Sequence, residues 1–113
     1  MDPERARELL RAERERIERA LAELRPEDDA ELTFQDQHLG DEASNLYQDE
    51  LDEGLAEQLQ RELEAVARAE QRLANGTYGL SVESGDPIPD ERLEVQPTAE
   101  RTAEEEARFE RGA

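Results

Sequence analysis

Two stretches of this chain keep an apolar side chain in step with each helical turn and are polar nearly everywhere else. No other feature restricts the possible folds as much. In residues 2–25 the positions Ala6, Leu10, Ile17, Leu21 and Leu24 recur at spacings of three, four or seven, with Glu13 interrupting the stripe. Asp2 is a suitable N-cap, and Pro3 suits the first helical position, where a missing N–H costs nothing. Arg25-Pro26 ends the helix, because the residue before a proline avoids the α region. A second helix is expected from about Asp41 to Ala74, with Tyr47, Leu51, Leu55, Leu59, Leu63, Val66 and Leu73 along one face. It would be about 50 Å long at ~1.5 Å per residue. Asn75-Gly76 is its stop signal, with Gly76 in the left-handed position. Helices this polar cannot stand alone. They bury their stripes most economically against each other, as an antiparallel coiled-coil hairpin.

Beyond Gly76 the period changes. Thr77 to Val82 alternates like a short strand, Ser84-Gly85-Asp86-Pro87 reads as a turn, and Leu93-Glu94-Val95 reads as a second strand. Thr98 is placed to cap a last helix that runs to about Arg111, with Gly112 just past its end. The expected fold class is therefore mainly α. A helical hairpin occupies residues 1–76, and a small β-containing knob with a C-terminal helix occupies 77–113.

Charge narrows the function. The chain has 113 residues, enough for one domain, and 14 basic against 32 acidic side chains leave a net charge of −18. Proteins that grip a phosphate backbone do so with Lys and Arg, so direct DNA binding is not expected, nor is an anionic membrane surface. No apolar run is long enough to span a bilayer and the start lacks a secretory pattern, so a cytoplasmic protein is expected. Without Cys and with a single His there is no thiol nucleophile, no thiolate metal site and no recognisable catalytic constellation. Neither an enzyme nor a cofactor is expected. The acidic residues are also unevenly placed. From Pro26 to Gln60 there are twelve of them and no Arg or Lys, although residues 1–25 balance seven Arg against seven acids. The turn of the hairpin, around residues 26–43, is a concentrated anion.

The knob carries a resemblance. Tyr78-Gly79-Leu80-Ser81-Val82-Glu83-Ser84-Gly85, then Ile88, then Arg92-Leu93-Glu94-Val95-Gln96-Pro97-Thr98-Ala99, resembles the C-terminal zinc finger of the DksA/TraR family. That pattern pairs an aromatic-Gly-x-Cys-x-x-Cys-Gly knuckle with a later Cys-x-x-Cys. The four cysteine positions fall on Ser81, Ser84, Thr102 and Glu105, with two residues inside each pair and seventeen between pairs. The spacing survives and the ligands are gone. Gln37-His38-Leu39-Gly40-Asp41-Glu42-Ala43 is similar to the family's coiled-coil tip, Asp-x-x-Asp-x-Ala. Asp41 and Ala43 match the second aspartate and the alanine, while His38 replaces the first aspartate, as in a variant branch. The match covers roughly residues 34–105, and the first helix agrees only in kind.

The resemblance implies a regulator that binds bacterial RNA polymerase rather than DNA. Family members push the coiled coil down the secondary channel, so that acidic tip residues approach the catalytic centre. It makes Asp41, Ala43 and His38 the candidate partner-binding residues. Ser81, Ser84, Thr102 and Glu105 become degenerate zinc-ligand positions that hold no metal, since hydroxyls are poor zinc ligands. The knob is then expected to be held by packing of Tyr78, Leu80, Val82, Ile88, Leu93, Val95 and Phe109. An intramolecular hairpin needs no partner helix, so a monomer is expected. The alternative is an acidic interaction or decoy protein that blocks a channel or mimics nucleic acid by charge, without reaching the catalytic centre. Asp41 and His38 also have plainer readings, as a helix N-cap and an exposed loop residue.

Overall fold

The computed structural model describes residues 1–24 and 42–112, and of residues 42–49 the backbone alone. Among the described residues four helices follow in order: α1, Pro3–Leu24; α2, Glu42–Asn75; α3, Asp90–Val95; and α4, Ala103–Gly112. The chain divides into two compact units, Met1–Arg14 with Glu64–Ala113, and Glu15–Leu63. Among the described residues no helix is long and apolar enough to cross a membrane.

The helix ends lie where local chemistry sets them. Asp2 caps α1, accepting the Arg5 N–H on Oδ2 at 3.3 Å, while its carbonyl accepts the Ala6 N–H at 3.0 Å. At the end of α2, Gly76 has φ +81°, the Gly76 N–H donates to Leu73 O at 3.2 Å and the Thr77 N–H to Arg72 O at 2.9 Å. These two bonds form a Schellman motif, which satisfies carbonyls that the helix itself leaves orphaned.

In the first unit, α1 and the end of α2 lie side by side and antiparallel. Arg7, Leu73 and Ala74 line one groove, and Arg14 grips Glu70 with Nη2–Oε1 at 2.7 Å and Nε–Oε2 at 3.2 Å. Ala6, Leu10, Val66 and Ala69 are buried there. In the second unit Ile17, Ala56 and Leu59 are buried, and Arg16 pairs with Glu62 at 3.2 Å. Of the expected α1 stripe, Ala6, Leu10 and Ile17 are buried, and Leu21 and Leu24 are half-buried. The α2 stripe is corrected: Leu51 and Leu55 are 51% and 46% exposed, and the buried row runs through Ala56 and Leu59. A row of i,i+4 steps drifts about 40° around a helix at each step, so a buried face has to alternate steps of three and four.

The expected β-containing knob is not observed. Among the described residues there is no strand, only an isolated antiparallel bridge between Leu80 and Pro87. It is flanked by Ile88 N–H to Gly79 O and Ser81 N–H to Asp86 O, both 2.8 Å. Pro87 and Pro89 have no N–H to donate, so the ladder stops after one rung. Leu93-Glu94-Val95 is helical. Pro89 opens α3 in an extended conformation, φ −58° and ψ 144°, and Asp90 and Glu91 lie in its positive first turn. In a strand Leu93 and Val95 would share a face; on the helix Leu93 is fully buried and Val95 is 86% exposed. Leu93 packs with Ile88 and Ala99, against Met1 and Tyr78. The Tyr78 hydroxyl donates to Pro97 O at 2.7 Å. Leu80, Val82 and Phe109 are exposed, contrary to the expected packing, and Phe109 stacks under the Arg101 guanidinium at 3.8 Å. The apolar core of the knob is small.

Polar ties fasten it to the helices. Arg5 forks onto Glu94 from α1, at 2.8 and 3.0 Å. Arg68 and Arg72 of α2 converge on Glu100 Oε2 at 2.9 and 3.0 Å.

Candidate functional site

The four positions singled out by the zinc-finger resemblance lie together in the structure. Two local elements bring them there. The first is the tight turn from Ser81 to Gly85, closed by Gly85 N–H to Ser81 O at 3.0 Å with Gly85 at φ +81°. Ser81 Oγ accepts the Glu83 and Ser84 N–H groups at 3.0 and 3.2 Å, and Ser84 Oγ accepts Asp86 N–H at 3.1 Å. Short hydroxyl side chains stabilise turns in this way. The second element is the start of α4. Thr102 Oγ1 accepts the Glu105 N–H at 3.2 Å and Glu105 Oε1 accepts the Thr102 N–H at 2.9 Å, a reciprocal capping box. Helix α4 therefore starts after Thr102, not at Thr98.

The turn and the box meet at one carboxylate. Ser81 Oγ–H donates to Glu105 Oε1 and Ser84 Oγ–H to Oε2, each at 2.5 Å. Those lengths belong to charge-assisted bonds. Ser81 and Glu105 are 5% and 6% exposed, so the carboxylate has exchanged water for three protein donors. The hydroxyls of Ser81 and Ser84, then the Thr102 amide, lower its pKa from an ordinary 4.5 to about 2. Neighbouring charges pair among themselves: Arg101 lies 3.6 Å from both Glu83 and Glu106, and Arg108 lies 3.7 Å from Glu83.

A pH dependence follows. A carboxyl whose folded pKa is depressed contributes stability that is present above its unfolded value and lost as pH falls through the folded one. Glu94 is lowered by its hydrogen bond from Arg5; at Glu100 burial acts upward but Arg68 and Arg72 outweigh it. All three shifts have the same sign. The melting temperature is expected to be level above pH about 5 and to fall steadily between about 4.5 and 2. Thermal unfolding followed at several pH values checks this.

Zinc does not fit this arrangement. A structural zinc site needs thiolates or imidazoles, and here the donors are three hydroxyls and one carboxylate. The Ser81 and Ser84 hydroxyl hydrogens already point at Glu105, and their oxygens already accept backbone amides. Among the described residues no group of three or more His, Cys, Asp or Glu could hold a metal ion. The second candidate region is only partly visible. His38 and Asp41 lie outside the described residues; Ala43 lies in the first turn of α2, its side chain outside them.

The convergence on Glu105 is absent from the expectations above, although Thr102-Ala103-Glu104-Glu105 is a Thr-x-x-Glu capping signature. That signature locates the start of α4. No local pattern connects it to Ser81 and Ser84, 24 and 21 residues away.

Comparison with known proteins places this geometry. No family model matches the chain. It is 42% identical over 74 residues to YteA of Bacillus subtilis strain 168, an uncharacterized protein, covering 66% of this chain and 31% of that one. It is 40% identical over 73 residues to general stress protein 16O of the same strain, covering 64% of this chain and 44% of that one. The chain thus spans less than half the length of these curated relatives. Among solved structures, transcription factor DksA2 from Pseudomonas aeruginosa superimposes with a TM-score of 0.77 at 29% identity, over 96% of this chain and 83% of the other. The chain has a DksA-like fold.

Proposed function

We propose that the chain is a transcription regulator that binds RNA polymerase through protein contacts, without contacting DNA directly and without catalysing a reaction of its own. The observation that carries this reading is the likeness to transcription factor DksA2 over 96% of the chain. The net charge of −18 supports it, because an acidic surface suits a channel that admits nucleoside triphosphates better than it suits DNA. In this reading the hairpin enters the polymerase's secondary channel. Asp41, Ala43 and His38 then approach the catalytic centre, where a carboxylate can act on a magnesium ion. The protein works as a cytoplasmic monomer, and no metal or cofactor takes part.

The test is binding to purified core RNA polymerase, followed by competition with a factor known to occupy the secondary channel. The expected result is saturable binding that the competitor displaces. Binding that heparin abolishes and the channel factor leaves untouched would favour the other reading, an acidic decoy acting by charge alone. No binding at all would remove polymerase as the partner.

A further inference from the structure

We propose that the Glu105 carboxylate is the crosslink that holds the knob together, performing through hydrogen bonds what a metal ion performs through coordinate bonds in a zinc finger. The first support is the size of the core. Ile88, Leu93 and Ala99, with Met1 and Tyr78 against them, form a cluster too small to hold a domain of this kind, and none of the five belongs to the Ser81–Gly85 turn. The second is connectivity. Through Oε1 and Oε2 one residue joins both serines of the turn to the first turn of α4, across 24 and 21 residues of chain. These bonds close loops of 21 and 24 residues, so they must be strong enough to offset that closure entropy, and two short bonds to one ionised carboxylate are of the strong kind.

The third support is that the hydrogen-bond inventory closes. A serine hydroxyl has one hydrogen to give, and each serine gives it to Glu105. The hydroxyl oxygens accept from Glu83, Ser84 and Asp86 amides, and the Thr102 oxygen accepts from Glu105's own amide. In the native arrangement both serine hydrogens go to Glu105, whose two charged oxygens accept them together. Glutamine is a poorer fit: with its oxygen toward Ser81 and Thr102, Ser84 has to turn its hydrogen away to accept from the amide, and the charge that strengthens all three bonds is gone.

Thermal unfolding and elemental analysis of the full chain test the proposal. The native protein is expected to contain far less than one zinc per chain and to melt identically with and without a strong chelator. Glu105→Gln is expected to lower the melting temperature by about 5–10 °C at pH 7. Ser84→Ala, which removes one donor and leaves the capping box intact, should lower it by a smaller amount. It serves as the readout if the glutamine variant does not fold. The variant S81C/S84C/T102C/E105C should bind one zinc per chain and recover the lost stability, with a melting temperature that now collapses on chelation. Stoichiometric zinc in the native protein with chelator-sensitive melting would overturn the proposal. So would native-like melting of both Glu105→Gln and Ser84→Ala, or a four-cysteine variant that takes up no zinc.

Discussion

Val66→Asp is expected to abolish cooperative unfolding near the native melting temperature, whereas Leu55→Asp should melt within a few degrees of the native protein. Both positions belong to the apolar stripe read from the sequence, and one charged residue is introduced in each variant. The difference is burial: Val66 is fully buried and Leu55 is 46% exposed. An uncompensated carboxylate at a fully buried site costs several kcal/mol, the effect of breaking a buried pair being about 3–5 kcal/mol. A domain of this size has only about 5–15 kcal/mol in total. At position 55 the carboxylate reaches water, and little is lost beyond partial apolar contact. Far-UV circular dichroism against temperature separates the two, and matching curves would show that α2 buries another face.

The second large effect concerns the tip. If the chain acts near a magnesium-bearing centre, Asp41→Asn should bind polymerase almost as well as the native protein and lose most of its effect on initiation. Asn is as good an N-cap as Asp, so the substitution keeps whatever capping Asp41 provides to α2, which begins at Glu42. What it removes is one negative charge. Asp41→Ala should lose activity equally, with an added stability cost of about 0.5–2 kcal/mol where the cap is lost. Initiation assays with purified polymerase at matched occupancy provide the readout. Full activity of Asp41→Asn would point to simple channel blocking, and loss of binding would make Asp41 a docking residue.

The helices were legible because their signals are local. A cap, a left-handed glycine and a stripe each act within a few residues, and α1 begins and α2 ends within a residue or two of where those signals lie. The inner face of α2 was less legible, since Ala56 is buried where the larger Leu55 seemed the natural choice. Alanine at a helix contact lets backbones approach, and size alone is a poor guide to which side faces inward. The β reading of the knob failed for a different reason. Three alternating residues, Leu93 to Val95, cannot distinguish a strand from a single helical turn, and two prolines forbid the ladder that a partner strand would need. The site was legible in position but not in chemistry. The spacing of Ser81, Ser84, Thr102 and Glu105 marks them as a set, yet with the zinc ligands gone the knob was expected to be held by apolar packing. Their joint hydrogen bonding depends on a meeting of distant segments, which no local pattern records.

The double engagement of Glu105 also orders events in time. Its bonds with Thr102 span three residues, within one nascent helical turn, whereas its bonds with the serines close loops of 21 and 24 residues. Closing a short local ring is entropically cheaper and faster than closing a long one. The start of α4 can thus form first, its carboxylate already aimed by the threonine, and the Ser81–Gly85 turn then condenses onto a prepared acceptor. A chain that must assemble around a free ion waits on that ion's concentration. Here the second-order step is gone, and the rate at which the knob matures is a property of the chain alone.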